Sequence, residues 1–143
     1  MTNPILVGIL FNTMAKRDVK YNINKIFALL KVLDKDKRYN PESYSFVMSA
    51  LDYTVKKLEK KGHITGGELL DGLKEYSLEQ FGPMARLVLE CWGITKTDDF
   101  GEIVFNMIDA GILGMTEKDS KKDFECKYDF KEAFDKGCNY TLH

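Results

Sequence analysis

Histidine and cysteine are scarce in this chain: its 143 residues include 2 His and 3 Cys. Cys91, Cys126 and Cys138 stand 35 and 12 positions apart, so no two thiols have the short spacing of a zinc site, and three thiols make no disulfide scaffold. No metal and no cofactor is therefore expected, and free thiols suit a reducing cytoplasm. Proline numbers 3 and glycine 11, which excludes collagen-like and low-complexity chains. No apolar run reaches the roughly 18 residues of a membrane span. The longest, Ile5 to Met14, is apolar on all sides, which leaves a strand, a helix and a segment packing on another subunit equally open. The opening Met1-Thr2-Asn3-Pro4 lacks the basic region of a secretory signal. No phosphate loop or dinucleotide fingerprint occurs. Asp99-Phe100-Gly101 spells a kinase tripeptide, but the Gly-rich and catalytic loops that give it meaning are missing.

What is present is an ordinary globular mixture. Apolar residues make up 44% and charged residues 30%, enough for one core without disulfides or metal. The expected organisation is an apolar N-terminal extension over 1–15, a single helical domain over 16–136 and a tail over 137–143. The net charge of −1 conceals an asymmetry. Residues 1–62 hold 12 Lys and Arg against 6 Asp and Glu, whereas residues 63–143 hold 9 against 16. Such a chain either folds into a basic and an acidic face or mixes the two signs over its surface.

Hydrophobic spacing predicts mainly helix. In the basic stretch 16–38, Ile23, Ile26, Phe27, Leu30 and Leu33 recur as one apolar stripe. Pro41 ends that helix and suits the first turn of the next. Tyr44, Val47, Met48, Leu51, Val55 and Leu58 then define a helix over 42–61, with Gly62 as its stop. Thr65 and Glu68 form a capping box for a helix through about Gln80. Pro83 starts a helix whose stripe is Met84, Leu87, Val88, Cys91 and Trp92, closed by Gly93. Asp99 and Glu102 suggest a second box before Ile103, Val104, Met107, Ile108 and Ile112, with Gly111 or Gly114 as the stop. Phe124, Cys126, Tyr128 and Phe130 alternate as in a half-buried strand, and with Leu113 to Thr116 they predict a β-hairpin around a charged loop. Asp129 caps a last short helix. The expected fold class is mainly α with a small C-terminal β-hairpin: a helical bundle whose part from about residue 42 is winged-helix-like.

That layout raises nucleic acid first. The groove-reading helix would be 98–113, which carries Asp98, Asp99, Glu102 and Asp109 and no Lys or Arg. It would face about one negative charge per 1.7 Å of duplex, which opposes groove reading. Residues 66–81 are also acidic, with Glu68, Asp71, Glu75 and Glu79 against Lys74. An anionic partner would instead meet Lys16, Arg17, Lys20, Lys25, Lys31, Lys35, Lys37 and Arg38, with Tyr21 and Tyr39 among them. An ordinary solvated lysine-rich face has the same composition. His63, Glu68, Asp99 and Glu102 form the other candidate set, for an interaction or polar site. Glu68 and Glu102 each follow a glycine in a first helical turn, where capping explains them without acid–base chemistry. Cys91, beside Trp92, reads as a small core residue. No residue is assigned a catalytic role.

Several ordered segments carry a resemblance. They are Arg38-Tyr39, Ser45-Phe46-Val47, Ala50-Leu51-Asp52-Tyr53-Thr54, His63-Ile64-Thr65-Gly66, Glu68-Leu69-Leu70, Phe81-Gly82-Pro83-Met84-Ala85, Trp92-Gly93-Ile94, Thr97, Asp99-Phe100-Gly101-Glu102-Ile103-Val104-Phe105-Asn106, Asp119-Ser120 and Tyr128-Asp129-Phe130. Together they resemble a bacterial protein family of unknown function, known mainly from planctomycete and verrucomicrobial genomes. The match leaves out residues 1–15. It implies a bacterial cytosolic protein and supplies no catalytic residue. The functional expectation is a non-enzymatic protein–protein interaction or adaptor domain, with a protein partner or self-association. The alternatives are a nucleic-acid- or ribosome-associated factor binding through 16–38, and a small enzyme with a carboxylate/His site.

Overall fold

The computed structural model describes residues 19–59, 64–114 and 120–136. The N-terminal extension, Gly62, His63 and the tail lie outside them. Among the described residues, five α-helices carry the fold: α1 (Val19–Lys35), α2 (Pro41–Leu58), α3 (Gly66–Phe81), α4 (Ala85–Cys91) and α5 (Thr97–Asp109). A 3-10 turn at Gly82–Met84 leads into α4, another spans Lys121–Phe124, and one π-helical turn spans Lys131–Lys136. The chain is mainly helical, as its hydrophobic spacing requires.

Local chemistry sets most helix ends. The Asn40 side chain accepts the Glu42 N–H at 2.8 Å, with Pro41 at the first position of α2. Thr65 and Glu68 bond reciprocally, Glu68 N–H to Thr65 Oγ1 at 3.0 Å and Thr65 N–H to Glu68 Oε1 at 2.8 Å. The helices α4 and α5 both close in Schellman motifs. Gly93 (φ 95°) and Gly111 (φ 77°) take the left-handed position. The N–H of the next residue then reaches back, Ile94 to Leu89 O at 2.9 Å and Ile112 to Met107 O at 2.8 Å. The stop of α2 differs from expectation. The helix ends at Leu58, with Glu59 rather than glycine in the left-handed conformation (φ 51°).

The core forms where α2 crosses α3 and meets α5, and where the 3-10 turn at Lys121–Phe124 packs on both α3 and α5. Tyr44, Leu70, Leu73, Leu89, Ile94, Phe100, Ile103 and Met107 are fully buried. At the α2–α3 crossing, a Cβ on Gly72 would stand 1.8 Å from Thr54 Oγ1, so only glycine allows this approach. The Thr54 hydroxyl donates to Ala50 O at 2.7 Å, which fixes its side chain there. Phe46 stacks with Phe81 at 5.4 Å and tilts against Tyr76 and Trp92, tying α2, α3 and α4 together. The starts of α3 and α5 grip one ring: Cβ atoms on Gly66 and Gly101 would each come within 3.2 Å of Phe124 atoms.

Four expectations are corrected. Among the described residues there is no strand, and Phe124 to Phe130 is not a hairpin arm. Its backbone bonds go to the start of α5 instead of to a partner strand. Thr97 Oγ1 donates to Phe124 O and accepts the Lys127 N–H, and Asp98 Oδ1 accepts the Cys126 N–H. Cys126 also has φ 46°, outside the strand region. The second capping box is shifted. Asp99 is itself the residue that reaches back, accepting Thr95 N–H at 2.9 Å and Lys96 N–H at 3.3 Å.

Of the apolar stripe predicted for α1, Ile26, Phe27 and Leu30 do not face the described core, and Leu33 does. Ile26, Phe27 and Leu30 are 56%, 58% and 53% exposed, while Ala28, Leu29, Val32 and Leu33 pack inward. This helix is apolar on two faces between residues 26 and 33, so periodicity alone selects neither. The α4 stripe is rotated in the same way. Met84, Leu87 and Cys91 are exposed, and Ala85 and Leu89 are buried. The 3-10 turn at Gly82–Met84 sets the phase of this two-turn helix.

Candidate functional site

The residues of the two candidate sets meet beside the loop between α1 and α2. Arg38 embraces Asp36 through both of its forks, Nε to Oδ1 at 2.9 Å and Nη2 to Oδ2 at 2.6 Å. Nη2 also reaches Glu102 Oε1 on α5 at 3.1 Å, and Lys121 Nζ meets the same oxygen at 3.3 Å. Asn106, one turn further along α5, donates its Nδ2 to Asp36 Oδ2 at 2.8 Å and to Tyr44 OH at 3.1 Å. Next to this, Tyr39 donates its hydroxyl to Asp99 Oδ1 at 2.6 Å, under the Arg38 guanidinium, which stands 5.1 Å from the Tyr39 ring.

Each shift in acidity has a plain cause. The Arg38 guanidinium, helped by Asn106 and the Arg38 N–H, holds the Asp36 carboxyl well below the usual carboxylate range, against the effect of its burial. Burial, and then the bond to Asp99, pushes the Tyr39 phenol up. Burial does the same to Tyr44 and to Tyr128, whose hydroxyl donates to Leu70 O at 2.9 Å. These groups clamp the α1–α2 loop onto α5.

The predicted sites therefore divide. Asp99 and Glu102 join Arg38 in one network, in which the Arg38 guanidinium is paired with Asp36 and Glu102. Glu68 caps α3 through Thr65. His63, Lys16 and Arg17 lie outside the described residues, and Lys20 and Lys25 fall within α1. Lys31, Lys35 and Lys37 are exposed and form no ion pair with any described residue. They border an open groove between α1 and the end of α5, whose apolar lining includes Phe27, Ala28, Val32 and Ala110. Asn106 and Tyr44 escaped the sequence reading. Asn106 follows Ile103 on α5 with no signal beyond its place in the Asp99-to-Asn106 segment that carries the resemblance.

The groove that Asp36, Arg38 and Asn106 line is open to solvent and measures about 920 Å³. The apolar cavity between Leu51, Leu69, Val104 and Phe124 measures about 50 Å³, below the several hundred typical of ligand pockets. Among the described residues no three His, Cys, Asp or Glu side chains gather to hold a metal ion, and no helix is long and apolar enough to cross a membrane. What stands out is the outer face of α1, where Ile26, Phe27 and Leu30 lie open, with exposed Lys31, Asp34 and Lys35 around them. No protein-family model, no curated protein and no solved structure matches this chain.

Proposed function

We propose that this protein is a non-enzymatic interaction or adaptor domain of the bacterial cytosol, and that its binding surface is the outer face of α1. The observation that carries this reading is the joint exposure of Ile26, Phe27 and Leu30 on one helix. Scattered exposed apolar residues are normal, but three within two helical turns form a patch of the kind partners cover. The carboxylates once open to acid–base work support the same reading, because Glu68, Asp99 and Glu102 hold helix starts and cations. The family resemblance supports it as well. Arg38, Tyr39, Asp99, Glu102 and Asn106, which help carry it, converge in one scaffold network. A winged-helix-like arrangement keeps only its helical part as support, since no described strand supplies a wing.

Affinity capture from a bacterial lysate with the wild-type chain and Leu30→Glu tests the proposal. Proteins held at high salt and after nuclease treatment by the wild type, and lost with Leu30→Glu, are the expected result. Identical capture by both removes α1 as the binding surface. A second reading, a nucleic-acid- or ribosome-associated factor, is favoured by exposed Lys31, Lys35 and Lys37, which form no ion pair among the described residues. It requires capture that disappears with nuclease and falls steeply with salt.

A further inference from the structure

The outer face of α1 is apolar and open, and its border carries both signs of charge. Ile26, Phe27 and Leu30 are each more than half exposed on it. Exposed Lys31, Asp34 and Lys35 stand around them, and Asp109 lines the adjoining groove with Phe27, so charge selects no partner for this face. An apolar cover without charges of its own satisfies it, because such a cover buries the three side chains and leaves the charged ones in water.

The chain carries a segment of that kind beside this helix. Seven of the ten residues from Ile5 to Met14 are Ile, Leu, Val, Phe or Met, and none is charged. Only Ala15, Lys16, Arg17 and Asp18 separate it from Val19, the first residue of α1. Connections of about 2–8 residues commonly join neighbouring helices of a bundle. At the rise of an α-helix, the patch begins about 10 Å and ends about 17 Å from Val19. Ten residues span about 15 Å as a helix and about 33 Å as an extended chain, so either form reaches back over the patch. So short a connection also holds the segment at an effective concentration of about millimolar order, far above that of a second copy in dilute solution.

We infer that residues 5–14 cover the outer face of α1 in their own chain and close it to a partner until they are displaced. The inference rests on the reading of α1 as the binding surface and names what regulates it. A partner that takes only the uncovered state has its apparent affinity reduced by the uncovered fraction.

Photo-crosslinking on the full chain tests this, with p-benzoylphenylalanine in place of exposed Phe27. Trypsin cleaves after Lys16, Lys25 and Lys31, so residues 1–16 leave as one peptide and residues 26–31 as another. The expected product joins these two peptides. In a mixture of light and heavy-nitrogen-labelled chains, each joined pair should carry a single label, since both halves come from one molecule. Leu10→Glu puts a charge into the cover. It should cut the yield of the joined pair about fivefold or more and raise lysate capture about threefold or more, whereas Leu30→Glu abolishes capture. Absence of the joined pair, mixed-label pairs at the statistical level (a second copy as the cover), or capture that Leu10→Glu leaves unchanged overturns the inference. If the joined pair is absent while capture still needs Leu30, only the cover was misassigned. If the pair forms but capture depends on Leu30 in neither the wild-type nor the Leu10→Glu chain, the α1 reading falls and the competition with it.

Discussion

Thr97 illustrates how one side chain replaces a secondary-structure element. It is fully buried, and its hydroxyl donates to Phe124 O at 2.6 Å while accepting Lys127 N–H at 3.0 Å. Those two backbone groups are what a β-partner would otherwise satisfy. Replacing the hydroxyl by a methyl keeps the shape and orphans both. Thr97→Val is therefore expected to cost about 2–3 kcal/mol, and Thr97→Ser clearly less. Urea denaturation measures this, and a valine variant as stable as wild type would show that water or a backbone shift satisfies the loop. In the sequence Thr97 stands out only among the residues that carry the resemblance. Its true partners lie 27 and 30 positions away, and no local pattern announces them.

At the scale of the element, two glycines in the same motif separate two costs. Gly111 and Gly93 both occupy left-handed C-terminal positions. A Cβ on Gly111 would meet nothing within 4 Å, so Gly111→Ala should lose only the backbone preference, about 1 kcal/mol. A Cβ on Gly93 would stand 2.4 Å from the Arg38 carbonyl oxygen. Gly93→Ala should therefore cost more and disturb the Arg38–Asn40 loop, where Asn40 N–H donates to Trp92 O at 3.0 Å. Equal losses in thermal melts of the two variants would mean that the close approach is not limiting. Both stops were readable in the sequence as helix ends, because glycine after a periodic run is a local signal. The burial phase of α1 and α4 was not. Each helix has apolar residues on two faces, and only contacts with the other helices select one.

For the whole molecule, the Arg38–Asp36–Asn106 clamp couples stability to acid. The Asp36 carboxyl is held below its ordinary value, so its contribution is fully present above the unfolded value of about 3.9 and is lost as pH falls through the lower folded value. Arg38 is 56% exposed, so solvent screens the pair and the contribution at neutral pH is about 1–2 kcal/mol. Asp36→Asn should thus be less stable than wild type at pH 7, with the gap narrowing near about pH 3. Denaturation curves at both values decide it, and a gap that is constant with pH would remove Asp36 from the acid response. The clamp also answers part of the charge asymmetry. Arg38 and Lys121 are neutralised by carboxylates, whereas Lys31, Lys35 and Lys37 keep a basic edge.

By itself the sequence determined the mainly helical class, the helix starts at Pro41 and Thr65 and the stop at Gly93, and it narrowed the stop of α5 to Gly111 or Gly114. Each depends on residues within about one helical turn, where backbone sterics and unpaired N–H or C=O groups leave few solutions. Only the tertiary structure decided that Phe124 to Phe130 bonds to α5 rather than forming a strand, that Asp99, Glu102 and Arg38 are scaffold, and that Ile26, Phe27 and Leu30 stand open. Those outcomes depend on which of two apolar faces is buried and on bonds between residues tens of positions apart, and that competition is settled by packing across the whole chain.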